Sequence, residues 1–273
     1  MREVSFGQYY PSDSFLHKAD ARVKILATIA YVVAVFLVKQ FHFLGFFCCF
    51  FVVLVSSLVA KVPFSRVLKS IKAVLFLAIF SAVLQIFFNK DGNVLLEWQF
   101  IKITDGGLLS AGFIVARIVL VVLGASLLTL TTTPVEIADG IESLMTPLKL
   151  IKVPVHEFAL VMSIALRFIP TLLEETDRII KAQKARGARF EGGLFKRVKA
   201  LLPVLIPLLI GSFRRADELA DAMDSRCYAG SKNRTKYKKM KLSYRDIVVV
   251  LCVSALIAGV VLINGTAVLG GLL

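Results

Sequence analysis

LLSAGFIVARIVLVVLGASLLTLTT, residues Leu108–Thr132, contains a single charge, Arg117. As a helix rising about 1.5 Å per residue, it is long enough to cross a hydrocarbon core about 30 Å thick. Four more apolar runs, Ile25–Val38, Phe41–Ala60, Ala73–Phe88 and Ile247–Ile263, are of membrane length or near it. The first and third are short, and Lys24, Lys39, Lys72 and Lys90 at their ends can lengthen them by snorkelling. Apolar residues make up 57% of the 273-residue chain, and its mean hydropathy is +0.78. A soluble domain would hold roughly 45–50%. The expected fold class is all-α: a polytopic membrane protein with about five transmembrane helices and a cytoplasmic amphipathic region. The opening MREVSFGQYYPSDSF lacks a signal peptide's apolar core and cleavage site, so it is expected to stay on the chain.

The formal charge of +14 raises nucleic-acid binding as a possibility, but the placement of the charge answers to topology instead. Residues 1–24 hold four Lys and Arg, residues 61–72 hold four and residues 134–246 hold twenty-one. The other side has Lys39, the two basic residues of the loop 89–107, and none after Ile263. Basic residues near span ends are retained in the cytoplasm, which puts the N-terminus inside and the C-terminus outside. The basic run Lys232–Lys241 then reads as an anchor before the last span, with lipid rather than nucleic acid as its partner. Three divisions follow: 1–133 with four spans, 134–246 in the cytoplasm, and 247–273 with the last span and an external tail.

Within 134–246, Val155–Leu173 and Ala200–Phe213 are fairly apolar yet are not expected to cross. The first carries Glu157 and Arg167, the second is broken by Pro203 and Pro207, and a crossing would export eight basic residues from Arg178 to Lys199. On a helical wheel Ile169, Leu172, Leu173, Thr176, Ile179 and Ile180 share one face, opposite Glu174, Glu175, Asp177, Arg178 and Lys181. A second amphipathic helix shows Leu209, Phe213, Ala216, Leu219, Ala220 and Met223 opposite Arg214, Arg215, Asp217, Glu218 and Asp221, with Arg214 and Glu218 at pairing distance. Each begins near an Ile-Pro step, Ile169-Pro170 or Ile206-Pro207, and each ends in an arginine between two small residues: Ala185-Arg186-Gly187 and Ser225-Arg226-Cys227. A helix stop with a solvated arginine explains either ending alone. Two copies point further, because an arginine held at a helix tip offers a planar fork of donors to a carboxylate or to backbone carbonyls on a second protein.

No residues suited to catalysis or metal binding stand out. A phosphate-cradling GxxxxGK[ST] loop is absent, and His156-Glu157 continues without the second histidine of HExxH. Cys48, Cys49, Cys227 and Cys252 show no ligand spacing, and His17, His42 and His156 are scattered. Arg117 is an intramembrane charge, and so either a functional site or a group that snorkels or bonds a backbone carbonyl near the outer face.

Gly7-Gln8-Tyr9 with Asp13-Ser14, the segment His17-Lys18-Ala19-Asp20-Ala21-Arg22-Val23-Lys24, and the two arginine motifs together resemble the T component, EcfT, of the energy-coupling factor (ECF) vitamin transporters over nearly the whole chain. The second motif departs from Ala-Arg-Gly at both flanks. The resemblance implies that 134–246 is a coupling-helix region and that Ala185, Arg186, Gly187, Ser225, Arg226 and Cys227 bind two ABC-type ATPases. It implies as well a small membrane substrate-binding (S) subunit as a further partner, with ATP and Mg used by the ATPases and no cofactor bound by this chain. The unlike tips favour two non-identical ATPases. The competing reading is a self-contained secondary transporter or channel with Arg117 on its pathway, although no inverted repeat marks the spans.

Overall fold

The computed structural model describes residues 9–39, 43–89, 94–98, 101–152, 154–188, 193–230 and 243–270. In chain order these form α1 (Ala21–Leu37), α2 (Phe43–Val59), α3 (Phe64–Phe88), β1 (Val94–Trp98), β2 (Ile101–Thr104), α4 (Asp105–Thr131), α5 (Pro134–Leu144), a 3₁₀ turn (Thr146–Ile151), α6 (Val155–Ala185), α7 (Leu194–Ser225) and α8 (Tyr244–Gly270). The architecture is that of an all-α membrane protein. They divide into two compact units, one of Gly7–Ser143 with Met240–Leu273 and the other built on Leu144–Lys239.

In the first unit, α1, α2, α3, α4 and α8 stand where the five apolar runs fall. α4 and α8 are long and apolar enough to cross a membrane, and α3 qualifies as two segments, Ser65–Lys72 and Val74–Phe88, bent by 57°. α1 and α2 have 17 residues each, about 25 Å of helix. Lys24 does not snorkel to extend α1. It is 6% exposed, and its ammonium donates to the carbonyls of His17 and Thr131, both at 3.1 Å. The loop expected over 89–107 instead carries the antiparallel hairpin β1–β2, with Trp98 opposite Ile101 and Glu97 opposite Lys102. Alternation of apolar and polar residues across Leu96–Trp98 and Ile101–Thr104 is the pattern of a two-faced strand pair.

Lipid tails are as apolar as leucine, so close packing rather than exclusion of water has to hold such helices together. Tyr31, Val35, Cys49, Val53, Leu120, Leu123 and Val260 build the centre of the bundle. Gly124 makes the approach of α1 to α4 possible: a Cβ there would lie 2.2 Å from Cε1 of Tyr31. The Tyr31 hydroxyl then donates to the Leu120 carbonyl at 3.3 Å, which satisfies a polar group that would otherwise be stranded in hydrocarbon. Gly140 plays the same part for α5, where an added Cβ would meet Ile25 and Ala21 of α1 at 3.0 and 3.2 Å.

The second unit is dominated by α6 and α7, 31 and 32 residues long, or roughly 46–48 Å each. Neither begins at its Ile-Pro step. α6 starts at Val155 and contains Pro170; α7 starts at Leu194 and contains Pro203 and Pro207. A proline inside a helix removes one hydrogen bond and crowds the preceding turn, a penalty of about 3 kcal/mol that two long, otherwise regular helices absorb. α6 also meets the length and apolarity of a membrane span, with a mean hydropathy of 1.4 over its best window, against the expectation that residues 155–173 are too charged. The basic run Lys232–Lys241, Gly7-Gln8 and His42 lie outside the described residues.

Candidate functional site

Both arginine motifs close a long helix, and they close it in the same way. At the end of α6, Arg186 is the C-cap (φ −82°, ψ 6°), and Gly187 turns to φ +86°. The Gly187 N–H donates to the Lys184 carbonyl at 3.0 Å and the Ala188 N–H to that of Gln183 at 2.9 Å. At the end of α7, Arg226 is the C-cap (φ −94°, ψ 12°), and Cys227 turns to φ +57°. The Cys227 N–H donates to Asp224 at 2.9 Å and the Tyr228 N–H to Met223 at 3.1 Å. Each is a complete Schellman motif, which satisfies the last carbonyls and leaves the arginine at the tip. Ala185, Arg186, Gly187, Ser225, Arg226 and Cys227 are all exposed. The left-handed turn is natural for Gly187; Cys227 adopts it at about 1 kcal/mol of backbone strain.

Between the tips, the helices pair through a face that the wheel placed differently. Glu175 and Arg215, assigned to the polar sides, are half-buried and face each other, the Arg215 Nη2 and Glu175 Oε2 atoms 2.5 Å apart. The geometry is that of a charge contact rather than an aligned hydrogen bond, and Nη1 of Arg215 is buried without a partner. Gly211 leaves room for it, since a Cβ there would come 3.2 Å from Oε1 of Glu175. The stripe residues Leu209 and Phe213 point outward, 58% and 65% exposed. Gly211, without a side chain, lets the helices approach at this level. The expected Arg214–Glu218 pair is present at 3.7 Å, on the surface. Glu175 precedes Arg186 by eleven residues and Arg215 precedes Arg226 by eleven, so the contact lies about 16 Å along the helix from either tip.

Arg117 is in the other unit. Its Nη2 donates to the Val38 carbonyl at 2.7 Å, while Asn264 of α8 donates to the Leu37 carbonyl at 2.7 Å. Together they satisfy two carbonyls at the C-terminal end of α1, whose partial negative charge favours a cation. The guanidinium also lies over the rings of Phe36 and Phe46, 5.9 and 5.8 Å from their centroids.

At the opposite end of the same bundle is a polar cluster that the sequence reading left out. Asp246 is 1% exposed and accepts from the Asp20 N–H at 2.8 Å and the Ser243 N–H at 2.7 Å. It therefore sits between the N-termini of α1 and α8, where the helix dipoles favour an anion. Tyr10 donates its N–H to Leu130, accepts from Nε2 of His17 at 2.9 Å, and so straps the N-terminal segment to the end of α4. The signal that could have found this cluster is a pair of capping-box patterns, Ser243-x-x-Asp246 and Thr133-x-x-Glu136, the second reciprocated at 3.1 and 3.3 Å.

A family model described as cobalt transport protein, CbiQ, matches residues 12–237, a range that includes both arginine tips. The chain is 48% identical over 259 residues to the energy-coupling factor transporter transmembrane protein EcfT of Clostridium kluyveri, covering 94% of this chain and 95% of that one. The protein of the same name from Bacillus subtilis is 43% identical, with 94% and 97% covered, and that from Lactococcus lactis 44%, with 93% and 95% covered. Identity at this level over nearly the full length of both partners places the chain in the EcfT family of energy-coupling factor transporter transmembrane proteins.

Proposed function

We propose that this chain is the scaffold and coupling subunit of an ECF-type importer, transmitting ATP-driven motion from two ATPases to a separate membrane subunit that captures a micronutrient. The observation that carries the proposal is the pair of tips: two arginines on identical backbone caps, each closing a helix more than thirty residues long, both exposed. An arginine so placed fits a groove lined by carboxylates or carbonyls. Arg186 and Arg226 are the contacts, and Ala185, Gly187, Ser225 and Cys227 keep the approach clear. Unlike flanks suit two non-identical ATPases. The ATPases hold the ATP and Mg, and this chain binds no cofactor of its own.

Closure of an ATPase pair would displace the tips, and the Glu175–Arg215 contact, equally far from both, is the place where α6 and α7 would turn against each other. The outward apolar face around Leu209 and Phe213 supports the substrate-binding subunit. In this reading 134–246 is the coupling region between membrane parts 1–133 and 247–273, the N-terminus is cytoplasmic and the C-terminus external. The substrate is recognised by the S subunit, so both a vitamin and the cobalt named for the matching family are compatible with this chain.

Losing one desolvated arginine contact costs about 2–5 kcal/mol at an interface. Arg186→Glu combined with Arg226→Glu should therefore detach both ATPases and abolish uptake while the bundle still unfolds at its usual temperature in detergent. Co-purification of both ATPases with the doubly changed chain, together with undiminished uptake, would refute the coupling role.

A further inference from the structure

Beside Arg117 runs a cleft of about 330 Å³, lined by Phe36 of α1 and by Ile114, Arg117, Ile118, Val121 and Val122 of α4. Arg117 is its one charged wall. Among the described residues no carboxylate pairs with this guanidinium: Nη2 is taken by Val38, Nε is buried without a partner, and Nη1 remains for a ligand. A cation at the edge of an apolar bundle favours an anionic partner, because the Val38 carbonyl and the two rings leave part of the guanidinium without an acceptor.

Depth in the bundle narrows what that anion is. Lys24 bonds Thr131 at one level, and Arg117 bonds Val38 at another. Arg117 and Thr131 are fourteen residues apart on α4, about 21 Å, and Asp246 and Asn264 are eighteen apart on α8, about 27 Å. The two polar levels are thus separated by most of the thickness of a hydrocarbon core, which sets Arg117 at headgroup depth. From there Ile118, Val121, Val122 and Phe36 continue toward the middle of the bundle. A charge at the headgroup boundary leading into a purely apolar channel has the shape of one phospholipid, phosphate first and acyl chain after. Its size falls at the small end of the roughly 300–1,000 Å³ typical of ligand clefts.

We infer that this cleft is a binding site for a single anionic phospholipid, whose phosphate receives Nη1 of Arg117 and whose acyl chain lies along Phe36, Ile118, Val121 and Val122. The guanidinium fork suits a phosphate oxygen, and the rings of Phe36 and Phe46 hold its plane. The lipid neutralises Arg117 and covers the gap between α1 and α4. The inference is independent of the ATPase contacts at the other unit.

Native mass spectrometry of the full chain tests it, with phosphatidylglycerol and phosphatidylcholine of the same acyl chains titrated separately. One phosphatidylglycerol should be retained with roughly fivefold preference. Arg117→Gln should remove the preference. Because that change also uncaps α1, Val122→Trp provides the second variant: it fills the channel, leaves the Arg117–Val38 bond in place, and should release both lipids. Equal retention of the two lipids, a preference that survives Arg117→Gln, or full displacement of phosphatidylglycerol by inorganic phosphate would each overturn the assignment.

Discussion

The charges of the membrane bundle and those of the two long helices are handled in opposite ways. In the bundle Asp246 receives two N–H groups, Lys24 two carbonyls and Arg117 a carbonyl, from another element, from the strap before α1 or, for Ser243, from the start of the same helix. On α6 and α7, Glu175 and Arg215 meet, while Arg186 and Arg226 stand exposed on caps whose backbone is already satisfied. A charge used to hold a fold is surrounded by that fold. The tips are not, and a helix end that needs no side chain to finish it leaves its arginine free for the contact with a second molecule that we propose. The difference separates residues that hold the fold from those the proposed function assigns to partners, and it can be attacked from both sides.

The largest effect on the bundle should come from Asp246→Ala. It strands the half-buried N–H groups of Asp20 and Ser243, whose shared acceptor is 1% exposed, at the start of two helices. Leaving hydrogen-bond donors of a charged acceptor unsatisfied costs about 3 kcal/mol here, at the upper end for a single buried group. Thermal unfolding of the purified chain in detergent should move down accordingly, and Asp246→Asn should recover part of the loss. An unchanged transition in Asp246→Ala would mean that the carboxylate does not hold α1 and α8 together.

Much of this division could be read from the chain, and the exceptions share a cause. The long apolar runs give α4 and α8 directly, because stretches this long with at most one charge have few other uses. The arginine tips were legible because Gly187 supplies a left-handed residue where a helix must stop. The inward turn of Glu175 and Arg215 was not, since a wheel assigns charges to solvent and takes no account of Gly211 opening space on the neighbouring helix. Pro170, Pro203 and Pro207 misplaced the helix starts for a related reason: one proline is a breaker in isolation, and the length of helix on either side outweighs it. Lys24 looked like a snorkelling residue because the N-terminal strap that covers it is visible only in three dimensions.

A smaller effect distinguishes the two tips themselves. Cys227 holds φ +57° where Gly187 holds φ +86°, and the cysteine has a Cβ to accommodate. Cys227→Gly should relieve about 1 kcal/mol of strain at the end of α7. The Tyr228 amide, bonded to Met223, should then exchange its hydrogen roughly fivefold more slowly, with ATPase binding unchanged. Faster exchange would show that the flanking cysteine makes a contact that outweighs its backbone strain, and the two caps would no longer be equivalent.

The smallest effect concerns pH and should be confined to the strap. His17 joins it through Nε2 to the Tyr10 carbonyl and through Nδ1 to the Ser14 hydroxyl at 2.7 Å. Nε2 donates to the carbonyl, and in the neutral ring Nδ1 accepts from the Ser14 hydroxyl. Burial lowers its pKa below the ordinary value near 6.5, and the charge of Lys24 adds to the lowering; the Tyr10 hydrogen bond and Glu136 oppose it without reversing it. With the folded value below the unfolded one, the strap's contribution is complete above about pH 6.5, where both states are neutral. As pH falls through that value the unfolded ring takes up its proton first, and stability is lost until the lower folded value is passed. Measured against the intrinsic rate, which itself falls with pH, hydrogen exchange at the Tyr10 amide, bonded to Leu130, should accordingly gain between pH 7.5 and 5.5, an excess over the intrinsic slope. His17→Gln should remove that excess. The Gly187 and Tyr228 amides, in caps without a histidine, should follow the intrinsic slope alone. An equal excess at the tips would mean that acid loosens the whole chain, and that strap and tips respond to protonation as one.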